Sequence, residues 1–188
     1  VYKRQVGICG LGTVGQGVIA LLSEGGDVLS NRVGGTIELV HVATRTPKPE
    51  VDTLGARDSR DVFDVARDPN VDLLIELIGG TTVAKELVVE ALNQGKHVVT
   101  ANKALLADHG DELFTLAESK GVALRFEAAV AGGIPVIEAV KTSLAGNHVS
   151  SVAGIINGTG NFILTEMAAK GRQFSDVLAE AQALGYAE

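Results

Sequence analysis

One short stretch limits what this chain can become more than any other. Gly10-Leu11-Gly12-Thr13-Val14-Gly15 stands between an apolar run, Val6 to Gly10, and a segment with apolar residues at helical spacing, Val14 to Ser23. The apolar run is flanked by basic residues and reads as a central buried strand. At a strand-to-helix turn of this kind each glycine has its own steric purpose. Gly10 permits the tight turn, Gly12 lets a pyrophosphate approach the backbone, and Gly15 lets the helix pack on the strand, with the helix N-terminus facing the phosphates. A glycine-rich turn without a ligand is the plainer alternative. The strand before it and the helix after it favour dinucleotide binding.

The alternation continues downstream. Glu24 to Thr36 is rich in Gly, Asp, Asn and Ser and reads as a loop, with a broken helix as the alternative, and Ile37 to Thr44 as the second strand, ended by Thr46-Pro47-Lys48-Pro49. A short helix follows at Asp61 to Arg67, and a third strand at Val71 to Ile78, closed by Gly79-Gly80. Then come a helix at Val83 to Asn93, a strand at His97 to Thr100, a helix at Ala104 to Lys120 and a strand at Val122 to Ala128. Strands alternating with helices of this length predict βαβ units in an α/β fold, a Rossmann-type doubly wound parallel sheet. Composition agrees: 46% of residues are apolar but only 4% aromatic, so Val, Ile, Leu and Ala carry the core, as suits strands covered on both faces.

Beyond about residue 130 the pattern changes. A helix is expected over Gly132 to Leu144, a strand over Ser150 to Ile156, a glycine-rich turn over Asn157 to Asn161 and a helix over Phe162 to Lys170. A last helix starts at Ser175 as N-cap and ends at Gly185. The expected organisation is a dinucleotide-binding domain at 1–130, followed at 131–188 by a truncated α+β substrate and dimerisation domain. The chain starts at Val1 without a methionine and stops at Glu188, and is expected to be a piece of a longer protein.

Several function classes are disfavoured. A net charge of −7 argues against a nucleic-acid partner. No apolar run has the length of a membrane span, and nothing at the start reads as a signal peptide. Cys9 is the only cysteine, which excludes an internal disulfide and makes a reducing cytoplasm the natural setting. Its place inside the first strand reads as a buried structural thiol rather than an acyl-enzyme nucleophile. His41, His97, His109 and His148 show no metal-ligand spacing, and the two in strands read as packed rather than catalytic.

The ends of the strands supply the other candidates. NAD binders usually place an acidic residue after the second strand, whereas here the text is Ala43-Thr44-Arg45-Thr46. Arg45 can pair with a 2′-phosphate and stack on adenine, with Lys48 assisting, and this favours NADP over NAD. The alternative is a solvated arginine beside a turn. Gly79-Gly80-Thr81 follows the third strand at its carboxyl end, where ligands bind in open α/β sheets; it also serves as a helix entry. Thr100-Ala101-Asn102-Lys103 follows the fourth strand at the same edge. Lys103 there reads either as a group that orients a carbonyl oxygen or the nicotinamide end of a cofactor, or as a surface lysine.

Together these segments resemble the homoserine dehydrogenase family over essentially the whole chain. The resemblance is carried by GICGLGTVGQGV at 7–18, LLIELIGG at 73–80, HVVTANKALLA at 97–107, RFEAAVAGGIPVI at 125–137, GIINGTGNFILTEM at 154–167 and ALGYAE at 183–188. It implies reduction of L-aspartate 4-semialdehyde to L-homoserine with NADH or NADPH, on the route to threonine and methionine. It also implies a homodimer paired through the second domain. By the resemblance, Gly10, Gly12, Thr13, Val14, Gly15, Arg45, Gly79, Thr81, Thr100 and Lys103 would line the cofactor, with Lys103 in a supporting catalytic role. Glu127, Val130, Gly132 and Ile134 match a segment whose mainly backbone oxygens hold a sodium ion; a plain glycine-rich hinge is the alternative. Gly158 and Thr159 match a turn near substrate and nicotinamide, Gly185 a cofactor contact, and Glu188 a receiver of the substrate ammonium.

The family's main acid–base lysine and its partner aspartate are expected soon after the GYAE segment, past Glu188, and a threonine-sensing regulatory domain, where a member has one, is likewise expected outside these 188 residues. The 188-residue chain alone is therefore expected to bind cofactor with little or no turnover. Two rival readings stand beside this one: another NADP-dependent reductase of an amino-acid precursor, such as a dihydrodipicolinate reductase-like enzyme, and a non-catalytic nucleotide sensor.

Overall fold

The structure is a computed structural model that describes residues 2–155, 157–184 and 186. The chain divides into two compact units, Val1–Gly132 and Gly133–Glu188. In the first, β1 (Tyr2–Cys9), α1 (Thr13–Glu24), α2 (Gly26–Val33), β2 (Gly35–Ala43) and β3 (Arg57–Ser59) build one side. Then α3 (Val62–Arg67) leads across to β4 (Leu73–Glu76), α4 (Thr82–Asn93), β5 (His97–Thr100), α5 (Lys103–Lys120) and β6 (Leu124–Arg125). The six strands lie in the order β3-β2-β1-β4-β5-β6, and all their pairings are parallel. This is the doubly wound order whose switch point falls between β1 and β4.

The alternation along β1 explains both layers. Val6 and Ile8 face a core shared with Leu11, Ile19, Leu39 and Val42, to which α1 contributes. Cys9 faces the larger core of Val65, Leu74, Leu87, Val88, Leu92, Val98, Leu105 and Leu113, supplied by α3, α4 and α5 together with β4 and β5. Gly7, between them, is where α3 comes closest: a Cβ there would stand 2.3 Å from Val65 Cγ1. Burying each Leu or Val side chain of these cores contributes roughly 1.5–3 kcal/mol.

The structure departs from expectation in several places. Residues 24–36 were expected mainly as loop, with a broken helix as the alternative; 26–33 form α2, which starts with Asp27 in its first turn and ends in a left-handed Gly34. It buries no residue, so it leaves no apolar stripe to read. The edge strand β3 has no apolar residue and is three residues long. The sixth strand shrinks to two residues before a 3₁₀ turn, Glu127–Ala129.

In the second unit the expected helix over 132–144 is a single turn, α6 (Val136–Glu138), passing into a π-helical turn, Ala139–Ser143. The expected strand at 150–156 does not form over the described residues 150–155, because this unit offers no other strand among the described residues to complete a ladder. The turn expected at 157–161 is instead the cap and first turn of α7 (Gly158–Lys170): Gly160 N–H donates to Asn157 Oδ1 at 2.6 Å. Helix α8 (Phe174–Ala183) packs on α7 through Ile163, Val177 and Ala181, with Phe162, Met167 and Leu178 around them. Among the described residues no helix is long and apolar enough to cross a membrane.

A buried polar cluster ties β2, β3 and the α3–β4 turn of the first unit together. His41 is fully buried between Asp68 (Nδ1 to Oδ2, 2.8 Å) and Ser59 (Nε2 to Oγ, 2.7 Å). The Lys96 ammonium donates to the carbonyls of Asp68 at 2.6 Å and Val71 at 2.7 Å. Burial lowers the Lys96 pKa, and the charges of Asp68 and Asp72 offset part of this. For Asp68 burial acts to raise the pKa, but hydrogen bonds from the Asn70 backbone and from His41 outweigh it and hold the carboxyl below its ordinary value. A depressed folded pKa contributes stability above the unfolded value, about 4, that is lost as pH falls through the folded value. Asp68→Asn should therefore lower the urea midpoint at pH 7 and flatten its decline below about pH 4. An acid limb as steep as that of the unmodified protein would show that Asp68 does not carry it.

Candidate functional site

The loops that leave β1, β2, β4 and β5 all emerge at the carboxyl edge of the sheet. Gly10 has φ +105°, and a Cβ on it would lie 2.5 Å from the Leu77 carbonyl oxygen. Its N–H donates to the Ala43 carbonyl at 2.8 Å, and Leu77 N–H donates to Cys9 O at 2.8 Å, so β2 and β4 clamp the turn from both sides. A Cβ on Gly15 would stand 2.0 Å from Gly10 O, which is how closely α1 approaches the strand end. Gly12 differs: a Cβ there meets nothing within 4 Å. It is the N-cap of α1 and provides no side-chain cap, so the first N–H groups of the helix point into open space together with its positive dipole end. Thr13 and Val14, the first residues of that helix, are exposed.

Beyond β2, Thr44 is buried and Arg45 is exposed. Lys48 is 3.7 Å from Glu50. Arg60, which the sequence did not single out, donates from Nη1 to the Thr44 carbonyl at 3.2 Å and pairs with Asp58. Two guanidinium groups thus stand near the end of β2.

The turns after β4 and β5 are organised by a residue hidden in an apolar run. Glu76, the last residue of β4, is fully buried. Its Oε1 accepts from the Ile78 N–H at 2.9 Å and the Gly79 N–H at 3.4 Å, and its Oε2 from the Thr100 hydroxyl at 2.5 Å. Thr100 Oγ1 in turn accepts from the Asn102 N–H at 3.0 Å. Asn102 closes the circuit, donating from Nδ2 to the Gly80 carbonyl at 2.6 Å while capping α5 through Leu105 N–H at 3.0 Å.

Gly79 and Gly80 are exposed, with φ +72° and +70°, and Thr81 is the half-buried N-cap of α4. Lys103 is exposed at the first position of α5. Thr100 is fully buried with its hydroxyl committed to Glu76 and Asn102, so its side chain acts inside the network. One charge within LLIELI and one Asn ahead of a helical segment were the signals for Glu76 and Asn102; nothing marked Arg60. Cys9 is fully buried beneath this edge, and burial together with the charges of Glu76 and Asp61 pushes its thiol far above the ordinary range. It is not a nucleophile.

In the second unit Gly158 and Thr159 open α7, and the Thr159 hydroxyl donates to the Tyr186 carbonyl. Tyr186 N–H donates to Ala181 O at 2.8 Å, and the Phe162 and Tyr186 rings meet edge-on at 5.3 Å. The start of α7 and the segment after α8 are therefore joined. Gly185 and Glu188 lie outside the described residues. Of the four expected sodium ligands, Glu127, Val130 and Gly132 fall in the first unit and Ile134 in the second. The Glu127 carbonyl accepts from Val130 N–H at 3.1 Å and the Ile134 carbonyl from Val136 N–H at 2.8 Å. Among the described residues no three His, Cys, Asp or Glu side chains cluster as a metal site.

Comparison with known proteins agrees along the length of the chain. The family profile described as homoserine dehydrogenase, NAD binding domain, matches residues 10–127, and that of homoserine dehydrogenase matches residues 135–188. Homoserine dehydrogenase from Pseudomonas aeruginosa is 58% identical over 184 residues, covering 98% of this chain and 42% of that protein. The Neisseria gonorrhoeae protein of the same name is 50% identical, covering 97% of this chain and 42% of its own length. The chain thus spans less than half the length of these relatives. A crystal structure of a homoserine dehydrogenase from Thiobacillus denitrificans superposes with a TM-score of 0.93 at 49% identity, covering 100% of this chain and 44% of that one. With a glycine turn, a doubly wound sheet and matched segments in both units, this chain belongs to the homoserine dehydrogenase family.

Proposed function

We propose that this chain is the dinucleotide-binding domain (1–130) and the opening of the substrate domain (131–188) of a dehydrogenase that interconverts L-aspartate 4-semialdehyde and L-homoserine, with NADP preferred to NAD. The observation that carries the reading is Gly12, whose open face adjoins the uncapped N-terminus of α1 at the switch point of the sheet. A pyrophosphate there meets backbone N–H groups and no side chain. When bound, the cofactor supplies the hydride that reduces the aldehyde carbon.

The chain's own residues bind and orient. Gly10, Gly12, Thr13, Val14 and Gly15 hold the pyrophosphate, and Arg45 pairs with a 2′-phosphate. Gly79, Thr81 and the Thr100–Lys103 turn flank the nicotinamide half. Lys103 adds positive potential where the carbonyl oxygen gains charge. Gly158, Thr159, Gly185 and Glu188 belong to the same reading as substrate and cofactor contacts, with the Glu188 carboxylate taking the ammonium group. A sodium ion at main-chain oxygens of Glu127, Val130, Gly132 and Ile134 belongs to it by resemblance and enters no step. The whole protein, in this reading, is a cytoplasmic homodimer.

Titration with NADPH and NADH, followed by nicotinamide fluorescence, tests the assignment. NADPH should bind more tightly, and Arg45→Ala should weaken NADPH by roughly tenfold or more, as loss of a charge-assisted contact does, while leaving NADH nearly unchanged. Equal affinities before and after the change would leave Arg45 a surface residue. The glycines give a second test. Gly12→Ala should keep the melting temperature and abolish tight NADPH binding, since its Cβ meets only open space in the free protein. Gly10→Ala should lower the melting temperature, because φ is +105° and the Leu77 carbonyl is 2.5 Å away. Undiminished NADPH binding by Gly12→Ala would remove the pyrophosphate from this turn.

A further inference from the structure

We propose that Glu76 is the positioning residue of the nicotinamide half of the site, holding the turns after β4 and β5 in one register through Thr100 and Asn102. The inference rests on the dinucleotide reading above and adds to it a residue that touches no ligand. Glu76 ends β4 directly beside Cys9 of β1 and Thr100 of β5, at the level where all three strands release their loops.

Its hydrogen bonds form a closed circuit. From Glu76 it runs to the Ile78 and Gly79 N–H groups, from Gly80 O to the Asn102 amide, from Asn102 N–H to the Thr100 hydroxyl, and from there back to the carboxylate. A buried carboxyl group is costly in an apolar core unless donors surround it, and an apolar residue of similar size is often at least as stabilising. β4 fills its preceding positions with Leu73, Leu74 and Ile75, so the single acid stands where two turns must be set relative to one another. The circuit leads directly to Thr81, at the N-cap position of α4, and to Lys103, which opens α5.

The adenosine half has a different construction. There the turn after β1 is held by backbone bonds, Gly10 N–H to Ala43 O and Leu77 N–H to Cys9 O, each 2.8 Å, and the turn after β2 by Thr44 N–H to Ser59 O at 3.1 Å and Arg60 Nη1 to Thr44 O at 3.2 Å; the Glu76 carboxyl group takes part in none of these bonds. Loss of the circuit should therefore disturb one half of a bound dinucleotide and spare the other.

The test uses the full-length enzyme and two ligands: NADPH, and 2′-phospho-ADP-ribose, which lacks the nicotinamide ring. Glu76→Gln presents an amide donor to Thr100 or to the 78–79 turn where an acceptor is required, and Thr100→Val removes the hydroxyl at nearly constant shape. Each should weaken NADPH binding and lower kcat by about tenfold or more, as misplacement of a reacting group does, with 2′-phospho-ADP-ribose affinity kept within about twofold. Thr100→Ser, which retains the hydroxyl, should restore both. If Glu76→Gln fails to fold, the Thr100→Val and Thr100→Ser pair decides alone. Equal weakening of both ligands, or a lowered melting temperature with unchanged kcat and affinities, would reduce Glu76 to a structural role and overturn the proposal. If the unmodified enzyme bound neither ligand, the dinucleotide reading itself would fall, an outcome separate from the others.

Discussion

The carbonyl oxygen of Gly10 occupies the place where a side chain on Gly15 would begin, 2.0 Å from that missing Cβ. This approach of α1 to the end of β1 sets the direction of the helix and brings its free N–H groups to the carboxyl edge of the sheet. It depends on β1 being central, paired with β2 on one side and β4 on the other, so that neither neighbour lets the strand end drift. With β1 fixed, chain connectivity sends α1 to one face and α3, α4 and α5 to the other, and the crevice opens where the direction of winding reverses.

Polar groups inside the first unit divide the remaining work. Glu76, Thr100 and Asn102 order the turns of the carboxyl edge, while His41, Ser59, Asp68 and Lys96 secure the short strand β3 and the turn into β4. Both sets are buried, and in both the carboxylate is met by donors from elements distant in sequence. Such groups contribute less to total stability than the apolar cores, but each specifies one arrangement of loops and strands. The apolar cores decide that the sheet forms; the carboxylates decide how its ends are set.

This division also explains what could be read from the sequence. Strand and helix periods were legible because Val6, Ile8, Leu74, Leu87 and Leu113 mark buried faces, and Gly10 and Gly15 were legible because each answers a steric demand at the turn, with Gly12 marked by its spacing between them. Helix α2 was legible only as an alternative to a loop because it buries nothing, and β3 was hidden because Arg57-Asp58-Ser59 has no apolar residue. Glu76 passed as one more strand residue, since its partner Thr100 is 24 residues away and pairing across the sheet leaves no local trace. The segment over 150–155 has the composition of a strand, but composition cannot supply the neighbouring strand that its backbone requires. Thr100 was read at the right edge from its place after the fourth strand, while the hydrogen bonds that occupy its hydroxyl were visible only in three dimensions.

The most direct test of the account is an amide-resolved NMR titration of this chain with NADPH. The account predicts that the largest shifts fall on residues 12–15, 44–46, 79–81 and 101–103, the N–H groups along the carboxyl edge. Shifts gathered instead around Arg4, Arg67, Lys96 and His97, which line a cleft at the opposite edge of the sheet, would contradict it. So would the absence of any saturable shift.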